Sequence, residues 1–290
     1  MSAAQFSRQA AKRQGVYWRP LLVKVFNHSI LILFTVIIVY PVLWMILASF
    51  KTPGELISNI WGLPASPAYQ NYADAWEKAR LGRALLNSGI VSIGAVLLVV
   101  CLSSIAGYAF AKFSFRFSTV ILLVFVFTMQ APVPIIPFYV LFVRLKLTDS
   151  YLGLILAIAS GTIPLSIFIF QAFFRSIPNE LREAAKIDGC SEFSAFLRVV
   201  MPISGPAVAT VSILTFVGAW NEYFMPLLLI RSDELRPLTL TIQVFFLQFG
   251  RAEWNVIFAT LSIASIPMIV IYVLLQRWFI RGLTSGSIKG

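Results

Sequence analysis

Two stretches of this chain carry side chains with chemistry to offer. The first, PNELREAAKIDGCSEFSAFLRVVMP over residues 178–202, packs charges and small residues between two long apolar runs. The second, GAWNEYFMPLLLI over 218–230, holds Glu222, the only acid in an otherwise apolar region. Bond-making chemistry has little to work with in either. His28 is the only histidine, so neither a Ser/His/Asp nor a Cys/His set is available, and no metal cluster suggests itself. Cys101 and Cys190 fall inside an apolar run and a charged loop, which does not suggest a disulfide framework. A GxxxxGK[ST] phosphate loop is missing, so the chain has no evident means of holding ATP, and no cofactor site is expected. The apolar runs also lack the ladder of acids, lysines and histidines that an ion-coupled carrier uses. What remains is non-covalent: docking by charge and shape at 178–202, and a polar lining at Trp220, Asn221, Glu222 and Tyr223. If the protein moves a solute uphill, the energy comes from a partner.

The elements that must position these residues follow from composition. Hydrophobic residues make up 59% of the chain, charged ones 12%, and the mean hydropathy is +0.85. Residues 25–50, 84–111, 117–143, 150–174, 199–221 and 254–276 contain no Asp, Glu, Lys or Arg. Each is long enough to cross a bilayer, which takes about 20 residues of helix. Backbone in lipid must satisfy its own hydrogen bonds, so the expected fold is an all-α polytopic membrane protein with six transmembrane helices. The spans are expected at about 28–50, 85–111, 118–143, 151–174, 203–230 and 255–277. A basic N-terminal arm (1–27) precedes them and a tail (282–290) follows the membrane-spanning body (28–281). The first run is too long for a signal-peptide core and stays as an uncleaved span.

Charge sets the orientation. Placing both termini in the cytoplasm puts 14 of the 23 basic residues on that side, while the longer outer loops hold 9 against 7 acids. The same bias accounts for the net charge of +11, with no need for nucleic acid as a partner. In this frame 178–202 is a cytoplasmic loop between spans four and five. The longest outer loop, 51–83, has a turn-rich part and then a helical pattern in which Tyr69, Tyr72, Trp76 and Ala79 share a face. That face reads as an interfacial aromatic belt or as a contact for an external partner. Pro132, Pro134 and Pro137 predict a broken outer end for span three, a cavity wall or a kinked exit.

A charge at the bilayer centre costs about 2.5–3.5 kcal/mol on insertion scales, so the depth of Glu222 matters. Arg231 lies nine residues on, about 13 Å of helix, which places Glu222 in the outer part of the membrane. Pro226 is a second candidate for a break there. The stretch therefore reads either as a translocation lining or binding-protein contact, or as a polar break at the interface.

Residues 178–202 read as helix, glycine turn, helix. Pro178 suits a first turn, and Glu180 and Glu183 face the positive end of the helix dipole. Leu181, Ala184 and Ala185 make a small apolar face. Gly189 ends this helix, and Ser191 caps the next. Phe193, Phe196, Leu197 and Val200 form a bulky stripe that Pro202 terminates. Spacing alone fits both a docking surface and a passive interfacial hairpin.

The residues themselves add a resemblance. EAAKIDG followed by SEFSAFLRVVMP resembles the EAA loop of ATP-binding-cassette importer permeases: Glu183, Ala184, Ala185, Asp188 and Gly189 match, and Pro202 stands at the closing proline, with Met201 where the family usually has Leu. Asn71-Tyr72, Asn87-Ser88, AGYAFAKFSF (106–115), DSYLGLIL (149–156), AWNEYF (219–224) and GLTSGSIKG (282–290) are similar to the carbohydrate-uptake branch, and within it to the six-span second permease of maltose-type systems. This resemblance implies a permease subunit of a binding-protein-dependent, ATP-driven carbohydrate importer in the bacterial inner membrane. It forms half of the pore beside a homologous second permease. Two cytoplasmic ATPase subunits, carrying ATP and Mg, dock on the EAA helix, with Glu183 facing basic groups. A substrate-binding protein delivers the sugar from outside, and the tail is a candidate to reach into the ATPase pair. The alternative is an energy-independent channel or carrier for a small polar solute.

Overall fold

The computed structural model of the protein describes residues 3–131, 133–249 and 253–287, with side chains placed over 23–131, 133–248 and 253–274. All regular structure among the described residues is helical. Ala3–Ser49 (α1) is one helix through the N-terminal arm and the first apolar run. Pro53–Ser58 (α2) and Gln70–Lys78 (α3) follow, then Leu81–Lys112 (α4). Ser118–Gln130 (α5) and Ile135–Arg144 (α6) precede Tyr151–Ser176 (α7). Asn179–Ile187 (α8), Glu192–Ala195 (α9), a π-helical turn at Phe196–Val200 and the short Met201–Ile203 (α10) make up the 178–202 segment. Gly205–Asn221 (α11), Phe224–Leu229 (α12), Leu238–Phe249 (α13) and Trp254–Ser287 (α14) complete the chain.

Among the described residues, four helices are long and apolar enough to cross a membrane: the stretch Val23–Ser49 of α1, α4, α7, and the stretch Trp254–Leu274 of α14. The count reaches six only if two bent pairs are each one span. In the first pair α5 and α6 turn through 109° relative to each other. Thus the run expected as a single span at 118–143 is two helices. Pro134 stands at the N-cap of α6 and Pro137 in its first turn, where a missing N–H costs least; Pro132 lies outside the described residues. In the second pair the 192–203 segment turns 78° into α11. Apolar α13 was not expected. At 12 residues it is too short to cross, and it fills a gap beside α4 and α14 with Leu238, Leu240 and Phe245 buried.

The centre of the molecule is the α4–α7 pair. Glycines allow it: a β-carbon at Gly107 would come within 2.6 Å of the Phe170 Cβ and 3.0 Å of the Gln171 backbone nitrogen. Gly94 meets Ile155 in the same way at 2.5 Å. Small residues at a helix–helix contact let backbones approach where lipid supplies no hydrophobic drive. Ser103 and Gln171 add hydrogen bonds to the backbone carbonyls of Ile163 and Phe110. Around the pair sit α11, α14 and α3, while α5 has no buried residue and α1 is exposed over residues 31–43. Such bare apolar surface on a helix faces lipid or another subunit.

Candidate functional site

The end of the bundle bearing 178–202 (the loop end) is assembled around the last turn of α4. The α8 helix starts one residue after Pro178 and carries Glu180 in its first turn. It closes in a Schellman motif: the Cys190 N–H donates to the Ala185 carbonyl at 2.9 Å and the Gly189 N–H to that of Lys186 at 3.0 Å. Gly189 has φ of +82°, and Asp188 is the C-cap. Ser191 caps α9, its Oγ accepting from the Ser194 N–H at 3.2 Å.

The two helices are bound to each other and to α4. Glu192 pairs with Lys186 and lies 3.6 Å from the Arg182 guanidinium, both on α8. The Tyr108 hydroxyl on α4 donates to the same carboxylate at 3.4 Å. Lys112, the last residue of α4, donates to the Ile177 carbonyl at 2.7 Å and to Asn179 Oδ1 at 2.9 Å. Arg182 stands 5.8 Å over the Phe113 ring.

The expected small apolar face on α8 is divided. Ala185 is buried, whereas Leu181 and Ala184 face outward with Glu180 and Glu183, and Ile187 is 87% exposed. The outward surface is therefore a shallow apolar patch between acids. The bulky stripe is divided as well: Phe196 and Val200 join Tyr108, Phe170 and Phe174 in a buried cluster, while Phe193 and Leu197 remain exposed. A π-helical turn, Phe196–Val200, runs through the stripe. It changes the role of Pro202, which does not end the helix. Met201 N–H reaches back to the Phe196 carbonyl, and the wider turn accommodates the proline's missing donor. The stop comes at Ser204, whose Oγ donates to the Val200 carbonyl at 2.6 Å.

At the opposite, far end the second candidate stretch is spread out. Trp220 is buried, stacked on Phe216 with centroids 5.5 Å apart, in a cluster with Ala75, Leu81 and Leu238. Asn221 ends α11 at the surface and bonds its own helix at the Val217 carbonyl. Glu222 is the break, not Pro226, which sits inside α12. Its backbone is extended, and its Oε1 accepts from Phe224 N–H at 2.8 Å and Met225 N–H at 3.1 Å. The carboxylate thereby satisfies two N–H groups at the start of α12. Tyr223 is exposed beside it. The structure thus groups Asn221, Glu222 and Tyr223 and turns Trp220 away from them.

Polar anchors at this end were not legible as such. Asp149 Oδ1 accepts from the backbone N–H groups of Arg231 and Ser232 and from the Ser232 hydroxyl, at 2.9–3.0 Å. The Ser232 backbone bond is the chief cause holding the Asp149 carboxyl below the usual carboxylate range. Asn87 donates to the carbonyls of Glu234 and Arg236, both at 2.9 Å, and accepts from Tyr151. Asn71 donates to the Ser49 and Lys51 carbonyls and accepts from Asn255 at 2.6 Å. Asn71, Asn87 and Asp149 all lie in the stretches that carry the family resemblance. Their partners are up to 184 residues away, which no local pattern reveals. Among the described residues no group of His, Cys, Asp and Glu is arranged to hold a metal.

Comparison with known proteins places this geometry. A family model described as binding-protein-dependent transport system inner membrane component matches residues 99–285. A probable ABC transporter permease of Bacillus subtilis, YurM, is 34% identical over 265 residues, covering 90% of this chain and 87% of that protein. The diacetylchitobiose uptake system permease protein NgcG of Streptomyces coelicolor is 32% identical, covering 91% and 88%. Among solved structures, a chain of a bacterial ABC transporter involved in import of the acidic polysaccharide alginate superposes with a TM-score of 0.81 at 23% identity. That match covers 89% of this chain and 96% of the other, and the fold is shared.

Proposed function

Because the chain belongs to the family of binding-protein-dependent transport system inner membrane components, we propose that it is the permease subunit through which such a system imports a carbohydrate, with oligosaccharide as the size class. It is a multi-pass inner-membrane protein. Its loop end faces the cytoplasm, as do both termini, and it forms half of the pore beside a homologous second permease. Two ATPase subunits hold ATP and Mg and carry out hydrolysis; this chain is not itself an enzyme. A soluble binding protein approaches the far end, and Asn221, Glu222 and Tyr223 stand where a translocated or delivered solute passes. The relatives named for sugar uptake support the substrate class.

One observation carries the coupling role. The outward face of α8 (Glu180, Glu183, Ala184, Ile187) is free, while its inward face is fastened to α4 through Lys112, Tyr108 and Glu192. A subunit seated on that face moves α4 with it, which is the differential contact that an ATPase needs to bias the permease between two states. Asp188 and Gly189 end the seated helix, and Ala185 seals it to the body. The C-terminal stretch 282–290 is assigned to the same cytoplasmic partner; α14 extends into it as far as Ser287.

The test is reconstitution in proteoliposomes with the neighbouring permease, ATPase and binding-protein gene products. The expected result is co-purification and ATPase activity that rises with sugar-loaded binding protein. Transport by the chain alone, without an ATPase, would replace this reading with that of an energy-independent carrier.

A further inference from the structure

The far end also contains a pocket with a composition of its own. A cavity of about 220 Å³ opens between the end of α3, the start of α4, the turn at 233–236 and α13. Its floor is closed by Ala79, Ala84 and Phe245, all buried. Its walls carry Lys78, Arg80, Arg83 and Arg236, with Asp233 as the one acid among them.

Three of these cations already have carboxylates. Lys78 bonds Glu253 at 2.8 Å, Arg236 bonds Asp233 at 2.7 Å, and Arg83 lies 3.6 Å from Glu234. Arg80 has no ion pair or hydrogen bond from its side chain among the described residues. It also holds a left-handed backbone, φ 47° and ψ 41°, which residues with a β-carbon seldom adopt. Thr241 and Gln248 add further polar groups to the wall. The pocket is therefore preorganised around one unclaimed guanidinium, whose planar fork matches a carboxylate.

We propose that this pocket receives a carboxylate side chain of the soluble substrate-binding protein, with Arg80 as its partner. Two features favour a protein carboxylate. The pocket is blind, because packed apolar side chains close its floor, so it suits a group that lodges and not a solute that must pass through. Its rim is made of ion pairs that are at least partly solvent-exposed, so cations are presented to an approaching protein and steer its encounter. The proposal rests on the permease reading above and adds the place and charge of the docking contact.

The experiment uses the reconstituted complex in uncharged phosphatidylcholine nanodiscs and its cognate substrate-binding protein. The readout is the binding-protein concentration that half-saturates ATPase stimulation, across salt concentrations. Arg80→Asn keeps a residue that tolerates the left-handed backbone and removes the charge; Arg80→Glu reverses it. The half-saturating concentration is expected to rise about tenfold for Asn and further for Glu, with a shallower salt dependence. Arg80→Lys keeps the charge without the planar fork and is expected to fall between wild type and Asn. Wild-type half-saturation in both the Asn and Glu variants overturns the proposal. So does an effect seen only with acidic sugars at unchanged binding-protein affinity, which would make the pocket a sugar subsite. An effect that requires anionic lipid overturns it as well. Absence of any stimulation in the wild-type complex would instead bring down the permease reading, and the docking pocket with it.

Discussion

The backbone is broken at Gly189 and again at Glu222, and the two breaks are built on opposite plans. At Gly189 the chain turns by backbone geometry alone: φ is +82°, a β-carbon would meet nothing within 4 Å, and the neighbouring surface of α8 is left bare. At Glu222 the chain turns because a side chain makes it do so. The carboxylate satisfies the first N–H groups of α12, and Thr239 donates to the Glu222 carbonyl at 2.7 Å. Around Glu222 the neighbouring strands of chain are held by Asp149 and Asn87. The first break leaves a helix face exposed, whereas the second fixes two half-helices to each other. A conformational signal fits the first, and a rigid wall fits the second.

The largest expected effect comes from forcing a side chain into the glycine turn. Gly189→Val places a β-branched residue in a left-handed conformation, at a cost of about 1–2 kcal/mol, yet meets no steric obstacle. Insertion is expected to remain normal while sugar-stimulated ATPase falls severalfold. Normal stimulation in the reconstituted variant would mean that the two breaks do not differ in function. Next comes Glu192→Ala, which removes the acceptor shared by Lys186, Arg182 and Tyr108. Exposed or half-exposed ion pairs are worth at most about 1 kcal/mol each, so a roughly fivefold drop in transport per ATP hydrolysed is expected. Amide exchange in α8 should rise in parallel, and unchanged protection would remove Glu192 from the fastening.

At the other break, Glu222→Ala strips a cap and should destabilise α12 by about 0.5–2 kcal/mol. Glu222→Gln keeps an accepting oxygen and should leave complex assembly intact. If the Gln variant loses its partners on co-purification, the charge itself belongs to a subunit interface. The smallest effect concerns acid. The Asp149 carboxyl is held below its usual range, so its folded value lies under the unfolded one. Its contribution is thus complete above the unfolded value, about 3.9, and fades as pH falls through the lower folded value. Asp149→Asn should flatten the decline of thermal stability in that acid window. An unaltered pH profile would show that the 149–232 contact does not stabilise the far end.

The reach of the sequence follows physical range. Helices crossing lipid are legible because an uninterrupted apolar run of about 20 residues has few other uses. Gly189 and Ser191 were legible because each acts on backbone two or three residues away. The π-helical turn at 196–200 was not: it follows from how Phe196 and Val200 fit against Tyr108 and Phe174, which only the packed structure defines. Pro226 drew attention as a breaker, yet a carboxylate four residues earlier had already ended the helix, and proline is tolerated in the first turn of the next. The left-handed turn at Arg80 divides a helical pattern that reads as continuous from Tyr69 to Leu86. The α13 helix escaped notice because 12 apolar residues fall short of a span. The fold class was open to reading throughout; the finer positions of Trp220 and Pro202 depended on tertiary contacts.

The α4 helix is tied at both extremities, by Asn87 to the 234–236 carbonyls and by Lys112 and Tyr108 to the 177–192 segment. Its 32 residues make a rod of about 48 Å, stiffened along its length by the close fit to α7. A rod fastened in this way has no preferred direction of travel for information. Under the proposed coupling, free energy that nucleotide binding on one side spends in reshaping the other is returned in equal amount to nucleotide affinity by a protein docking on that other side. A rod that lets fuel open a gate, as proposed here, also lets cargo arrival call for fuel.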